Sequence, residues 1–240
     1  MAALQPLKFL TVQPIAKHTA TVIFVHGLGD TGFGWKPVAE MFKADSTLNH
    51  IKWVLPHAPT MRVTANMGME MPSWFDIYDF GFQSTEDETR ILHTVHSLNQ
   101  IITAEVDAGI PANRIVLGGF SQGGAVTIFT GLTSERKLAG LAVLSGWTPL
   151  ANKLKAMATP SMKSVPIFWG HGKADPLVKF RFAQHSVDFL HNDLAISSAS
   201  PDVPEKGGLT FHAYDDLPHM TNEEELRDLS AWLRRILPKE

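Results

Sequence analysis

The chain has no cysteine. That excludes disulfides, thiolate metal sites and a cysteine nucleophile together, and it removes S-acylation as a membrane anchor. Long apolar runs are missing too, and none approaches the ~20 residues of a membrane-spanning helix. Charge of either sign never gathers into a block, and the net charge is only −3. No basic stripe is there to track a phosphate backbone, so nucleic acid is not an expected partner. The start, Met1-Ala2-Ala3-Leu4-Gln5-Pro6, lacks the charged and apolar regions of a secretory leader, and Ala2 stands where myristoylation needs glycine. The expectation is a soluble cytoplasmic protein with no integral membrane segment, open at most to transient contact with a membrane surface.

What is present is a globular balance, 44% hydrophobic and 19% charged over 240 residues. It suits a single domain, 1–240, that buries roughly 70% or more of its unfolded surface. Short β-rich apolar runs alternate with longer helical patterns. Strands are predicted at 21–25, 51–55, 114–117, 138–144, 166–169 and 209–214, most of them apolar on both faces, as in a covered parallel sheet. Residues 8–12 could add an antiparallel edge strand. Thr85-Glu86-Asp87-Glu88 reads as a capping box before Ile91, Leu92, Val95, Leu98, Ile102 and Val106 at helical spacing. Thr221-Asn222-Glu223-Glu224 reads as a second box, opening a last helix with Leu226, Leu229, Leu233 and Ile236. This alternation predicts an α/β fold with a doubly wound sheet. Two stretches read as irregular: 56–72, which holds Met61, Met67, Met69 and Met71, and 197–208, a small polar surface insertion.

The chemistry starts at Gly119-Phe120-Ser121-Gln122-Gly123, between a predicted strand and an apolar helical pattern at 125–132. Strand, G-x-S-x-G, helix is the context of a nucleophilic serine on a sharp turn. A glycine-rich turn could instead cradle a phosphate or simply pack closely. A serine hydroxyl needs a base, and in this arrangement the chain order is Ser, then Asp or Glu, then His. Asp175 follows the strand at 166–169 and His219 follows the strand at 209–214, so both fall at the carboxyl edge of the sheet with Ser121. Of eleven histidines, only His219 has that order and position; His26 and His171 read as structural. Asp215 and Asp216 compete with Asp175, but their closeness to His219 suits them better to shaping its loop. Two backbone N–H groups should stabilise the oxyanion, one from Gln122 and one from Leu28 in the early loop His26-Gly27-Leu28-Gly29-Asp30.

These stretches, with Pro56-His57-Ala58-Pro59, Met71-Pro72-Ser73-Trp74-Phe75-Asp76 and Asp175-Pro176-Leu177-Val178, resemble the acyl-protein thioesterase and lysophospholipase family of α/β-hydrolases. The Pro-Ser-Trp-Phe-Asp match is far more specific than G-x-S-x-G. The resemblance implies a mostly parallel sheet with helices on both faces and no large cap domain. It implies a serine hydrolase that cleaves palmitoyl thioesters from S-acylated proteins without metal or organic cofactor, with lysophospholipids and simple esters as further substrates. A small-ester carboxylesterase or lysophospholipase is the alternative, and a catalytically silent ligand-binding protein is a third. An acyl chain needs an apolar channel, for which Trp74, Trp147 and Leu177 are the candidates. The chain departs from the family in the insertion at 197–208, in Met220-Thr221 after His219, and in lacking an N-terminal cysteine.

Overall fold

The computed structural model describes residues 6–79 and 85–240; the stretch 1–5, where leader features were sought, lies outside the described residues. In chain order the elements are β1 (Phe9–Val12), β2 (Ala20–Val25), α1 (Gly32–Ala44), β3 (Ile51–Pro56), β4 (Thr60–Val63), β5 (Met69–Pro72), α2 (Glu88–Asp107), β6 (Ile115–Phe120), α3 (Gln122–Thr133), β7 (Gly140–Leu144), α4 (Ala151–Met157), β8 (Pro166–Gly172), α5 (Phe180–Asn192), β9 (Gly208–Tyr214) and α6 (Glu223–Ile236).

Seven strands form one sheet in the order β1-β3-β2-β6-β7-β8-β9. All neighbours are parallel except β1, which pairs antiparallel with β3, Phe9 opposite Pro56. The apolar strand pattern has a simple cause. All six residues of β2 are buried, and alternate ones serve opposite layers. Ile23 and Val25 pack in a core with Ile91 and Leu98 of α2, Phe129 of α3 and Leu190 of α5. Val22 and Phe24 pack in a second core with Trp35 and Phe42 of α1 and Leu229 and Trp232 of α6. Helices therefore cover both faces, as the alternation predicts.

Three expectations need correction. The stretch 56–72 is not irregular throughout: β4 and β5 form an antiparallel ribbon, Thr60 opposite Pro72, turning at Met67 with φ 55°. The cap of α2 is Asp87, not Thr85. Its carboxylate accepts from Arg90 N–H at 3.2 Å and also takes Asp76 N–H at 3.0 Å and the Arg90 guanidinium at 2.8 Å. A charged acceptor with three donors outcompetes a hydroxyl two residues upstream. The cap of α6 is likewise one residue later than expected, Asn222 accepting from Glu225 N–H at 2.8 Å. The insertion carries a single 3₁₀ turn, Pro204–Lys206. Its first residues run along β9: Leu209 N–H donates to Ser197 C=O and Ala199 N–H donates to Leu209 C=O, both at 2.9 Å.

No helix among the described residues is long and apolar enough to cross a membrane. After β2 the chain crosses to β3 through α1; after β6 it crosses the other way, to β7, through α3 on the opposite face. Such a reversal opens a crevice at the carboxyl ends of the two strands.

Candidate active site

Ser121 stands at that crevice, between β6 and α3, with φ 55° and ψ −121°. A non-glycine residue in this region is strained, and the strain is what turns its side chain out of the strand-to-helix elbow. The flanking glycines are a steric requirement. A Cβ on Gly119 would lie 2.4 Å from the Gly123 carbonyl, and one on Gly123 would lie 2.1 Å from Val25 O. Ser121 N–H donates to Leu144 C=O at 2.8 Å, tying the elbow to β7.

His219, between β9 and α6, places Nε2 2.9 Å from Ser121 Oγ and Nδ1 2.7 Å from Asp175 Oδ2. A carboxylate can only accept, so Nδ1 carries the proton and Nε2 is free to take one from the serine hydroxyl. Asp175, on the loop after β8, is fixed through its other oxygen, which accepts from the N–H groups of Leu177 and Val178 at 2.9 Å each. The competing Asp215 is exposed and paired with Lys173. Behind Asp175 lies His171, completely buried. Its Nε2–H donates to Val178 C=O at 2.7 Å, and burial holds its pKa below the ordinary value.

The loop after β2 runs against the nucleophile; a Cβ on Gly27 would meet Ser121 Cβ at 3.3 Å. Among the described residues, the N–H groups of Leu28 and Gln122 have no acceptor. His26 shapes the loop from beneath. It accepts Ala58 N–H at Nε2, 3.1 Å, and therefore donates from Nδ1 to Gly27 C=O, 2.7 Å. Burial pushes its pKa down, keeping the ring neutral.

A cavity of about 390 Å³ opens over these groups, lined by Leu28, Asn66, Ile77, Phe120, Trp147, Leu177 and Val178 with Ser121 and His219. Trp147 is held there by a bond from its indole N–H to Glu86, 3.2 Å. Trp147 and Leu177 are thus at the cavity wall. Trp74 is not: it is 2% exposed and its indole N–H donates to His26 C=O at 2.8 Å. Asn66, Ile77 and Phe120 went unnoticed in the sequence. Only Phe120, inside the G-x-S-x-G run, carried a signal.

A mostly parallel sheet covered on both faces, with a serine on its central strand-to-helix elbow and a histidine and an aspartate reaching it from later strand ends, defines the protein's class: an α/β-hydrolase. The sequence model of the phospholipase/carboxylesterase family matches residues 8–237, and the chain belongs to that family, a family of hydrolases. It is 48% identical over 235 residues to acyl-protein thioesterase 1 of Cryptococcus neoformans var. neoformans serotype D, covering 96% of this chain and 98% of that protein. It is 43% identical over 243 residues to acyl-protein thioesterase 1 of Mycosarcoma maydis, covering 97% and 98%. The crystal structure of Arabidopsis thaliana SOBER1 superposes with a TM-score of 0.81 at 32% identity, covering 91% of this chain and 99% of that one. Zea mays acyl-protein thioesterase 2 gives 0.81 at 28% identity, covering 96% and 99%.

Proposed function

We propose that the protein is a serine hydrolase that removes long-chain acyl groups, palmitoyl among them, from cysteine thioesters of proteins. The observation that carries this reading is the chain of hydrogen bonds from Asp175 through His219 to Ser121, 2.7 and 2.9 Å, at the floor of an apolar-walled cavity. Ser121 Oγ attacks the thioester carbonyl while His219 Nε2 takes its proton. The N–H groups of Leu28 and Gln122 hold the oxyanion, each worth about 2.7–4 kcal/mol by analogy with other such donors. Collapse expels the cysteine thiolate, a better leaving group than an alkoxide, so His219 has less to do as an acid in this step; the departing sulfur takes up the serine's proton from His219 and leaves the imidazole neutral again. Water, deprotonated by His219, then attacks the acyl-serine and releases the fatty acid and free Ser121. Asp175 keeps the proton on Nδ1 and stabilises the imidazolium. Neither a metal nor an organic cofactor is required by these steps. Leu177 and Trp147 flank the acyl chain, and the relatives named as acyl-protein thioesterases support the choice of thioester.

A second reading, hydrolysis of lysophospholipids or small carboxylic esters, draws on the family's description. The cavity wall fits an acyl chain without choosing its leaving group. A panel of palmitoylated peptide, long-chain lysophospholipid and short ester separates the two. The expected order places the palmitoylated peptide first in kcat/KM, and Ser121→Ala abolishes turnover while leaving thermal unfolding unchanged. A preference for lysophospholipid replaces the first reading with the second, and full activity in Ser121→Ala removes both.

A further inference from the structure

The most specific motif in the sequence, Pro72-Ser73-Trp74-Phe75-Asp76, takes no part in the chemistry above. We propose that Ser73-Trp74-Phe75 is a positioning staple that sets the spacing of the two oxyanion donors, Leu28 N–H and Gln122 N–H; the inference rests on the oxyanion hole of the preceding section.

One arm of the staple holds α3. The Gln122 side chain is completely buried. Its Oε1 accepts Trp74 N–H at 3.0 Å, and its Nε2 donates to Phe75 C=O at 2.8 Å and to Ser73 Oγ at 3.0 Å. A backbone N–H can only donate and a carbonyl only accept, so the amide has one orientation here. Ser73 Oγ–H in turn donates to Phe75 C=O at 2.6 Å. The residue that carries one oxyanion donor is therefore tethered by its own side chain.

The other arm holds the loop after β2 on both sides of Leu28. Trp74 donates its indole N–H to His26 C=O, and Gly29 N–H donates to Pro72 C=O, each at 2.8 Å. The segment is itself anchored: Ser73 N–H donates to Pro59 C=O at 3.0 Å, and Thr94 Oγ–H donates to Trp74 C=O at 2.7 Å. Two N–H groups from distant parts of the chain must converge on one oxygen, and preorganised donors act only when their geometry is fixed beforehand. A single stretch bonded to both fixes their separation without entering the cavity. The Ser73, Trp74 and Phe75 groups named here and the Gln122 amide are all bonded within the protein, so they position the donors and do not touch substrate.

The test uses the full chain, a soluble p-nitrophenyl ester and an alkyl trifluoromethyl ketone. The ketone adds Ser121 Oγ to form a hemiketal oxyanion. Trp74→Phe removes the indole N–H and keeps a ring. Gln122→Met keeps the backbone donor and removes the amide ties. In each variant that retains wild-type circular dichroism, kcat is expected to fall about 10- to 100-fold, as for a donor displaced by a fraction of an ångström. KM should stay within about twofold, because ground-state binding does not use the oxyanion geometry. Affinity for the ketone should fall by the same factor as kcat/KM, whereas affinity for the product fatty acid should not change. Unchanged kcat in folded Trp74→Phe overturns the staple. So does a loss that appears equally in fatty-acid binding, which is what general loosening of the cavity would produce. Full activity in Ser121→Ala would instead overturn the serine-hydrolase reading on which the staple rests, so the two failures are told apart.

Discussion

Asp175 divides its carboxylate between two tasks, and that division makes it a sharp test of the proposed chemistry. Oδ1 is occupied by two backbone donors and Oδ2 by His219. In Asp175→Asn the amide oxygen is claimed by the Leu177 and Val178 N–H groups, which leaves an NH₂ facing His219. Nδ1 must then accept, the proton moves to Nε2, and the base is lost. We expect kcat to fall about a thousand- to ten-thousand-fold with the fold retained; a loss below tenfold would contradict the role assigned to Asp175. The G-x-S-x-G run between strand and helix singled out Ser121, and chain order with strand ends then singled out Asp175 and His219, because both constrain where such groups can lie. Trp74 was harder to read. A tryptophan in an apolar stretch suggests a lipid wall, yet the same side chain carries a donor that is satisfied by His26 C=O. Gln122 was legible only through its backbone: nothing in one sequence says that its amide reaches a segment 47–49 residues away.

At the scale of elements, α6 contains a liability. Its first turn is acidic and its last turn basic, matched to the helix dipole, but Glu225 is completely buried and neither carboxylate oxygen has a partner among the described residues. Burial, with Asp228 adding to it, raises its pKa from 4.5 to about 8. The folded chain therefore keeps this proton through neutral pH while the unfolded chain releases it. Unfolding releases a proton between those two values, so this group's contribution to stability is complete at acid pH, declines as pH rises from 4.5 to 8, and then levels off. Glu225→Gln removes the decline. Its melting temperature relative to wild type should climb steadily from pH 5 to pH 8, and a difference independent of pH would refute the buried neutral carboxyl. The elements themselves were legible where burial is two-sided, as in β2 and β7. They were not in β4 and β5, where only Val63 is buried, so no apolar alternation marks the pairing. Both helix caps were found within two residues, because several adjacent side chains can cap and tertiary partners choose among them.

Across the whole molecule, the sheet order explains why residues as distant as Leu28, Ser121, Asp175 and His219 meet. Each lies just past the carboxyl end of a parallel strand, and the reversal between β2 and β6 opens the space they share. Alternating strand and helix patterns made that architecture readable, whereas the lateral order of strands depends on contacts between distant segments. The order also leaves β9 at the margin, with backbone groups that could recruit a strand from another molecule. The bonds from Ser197 and Ala199 to Leu209 occupy the first of those groups. We expect the segment 197–208 to guard this margin against intermolecular strand addition. Replacing 198–206 by a short glycine-serine turn should leave ester turnover of the monomer intact while light scattering on mild heating begins earlier and grows faster. Equal scattering from both forms would mean that the margin needs no guard. Earlier scattering would instead give the segment 197–208 a colloidal role, at the end of the sheet opposite the elbow of Ser121.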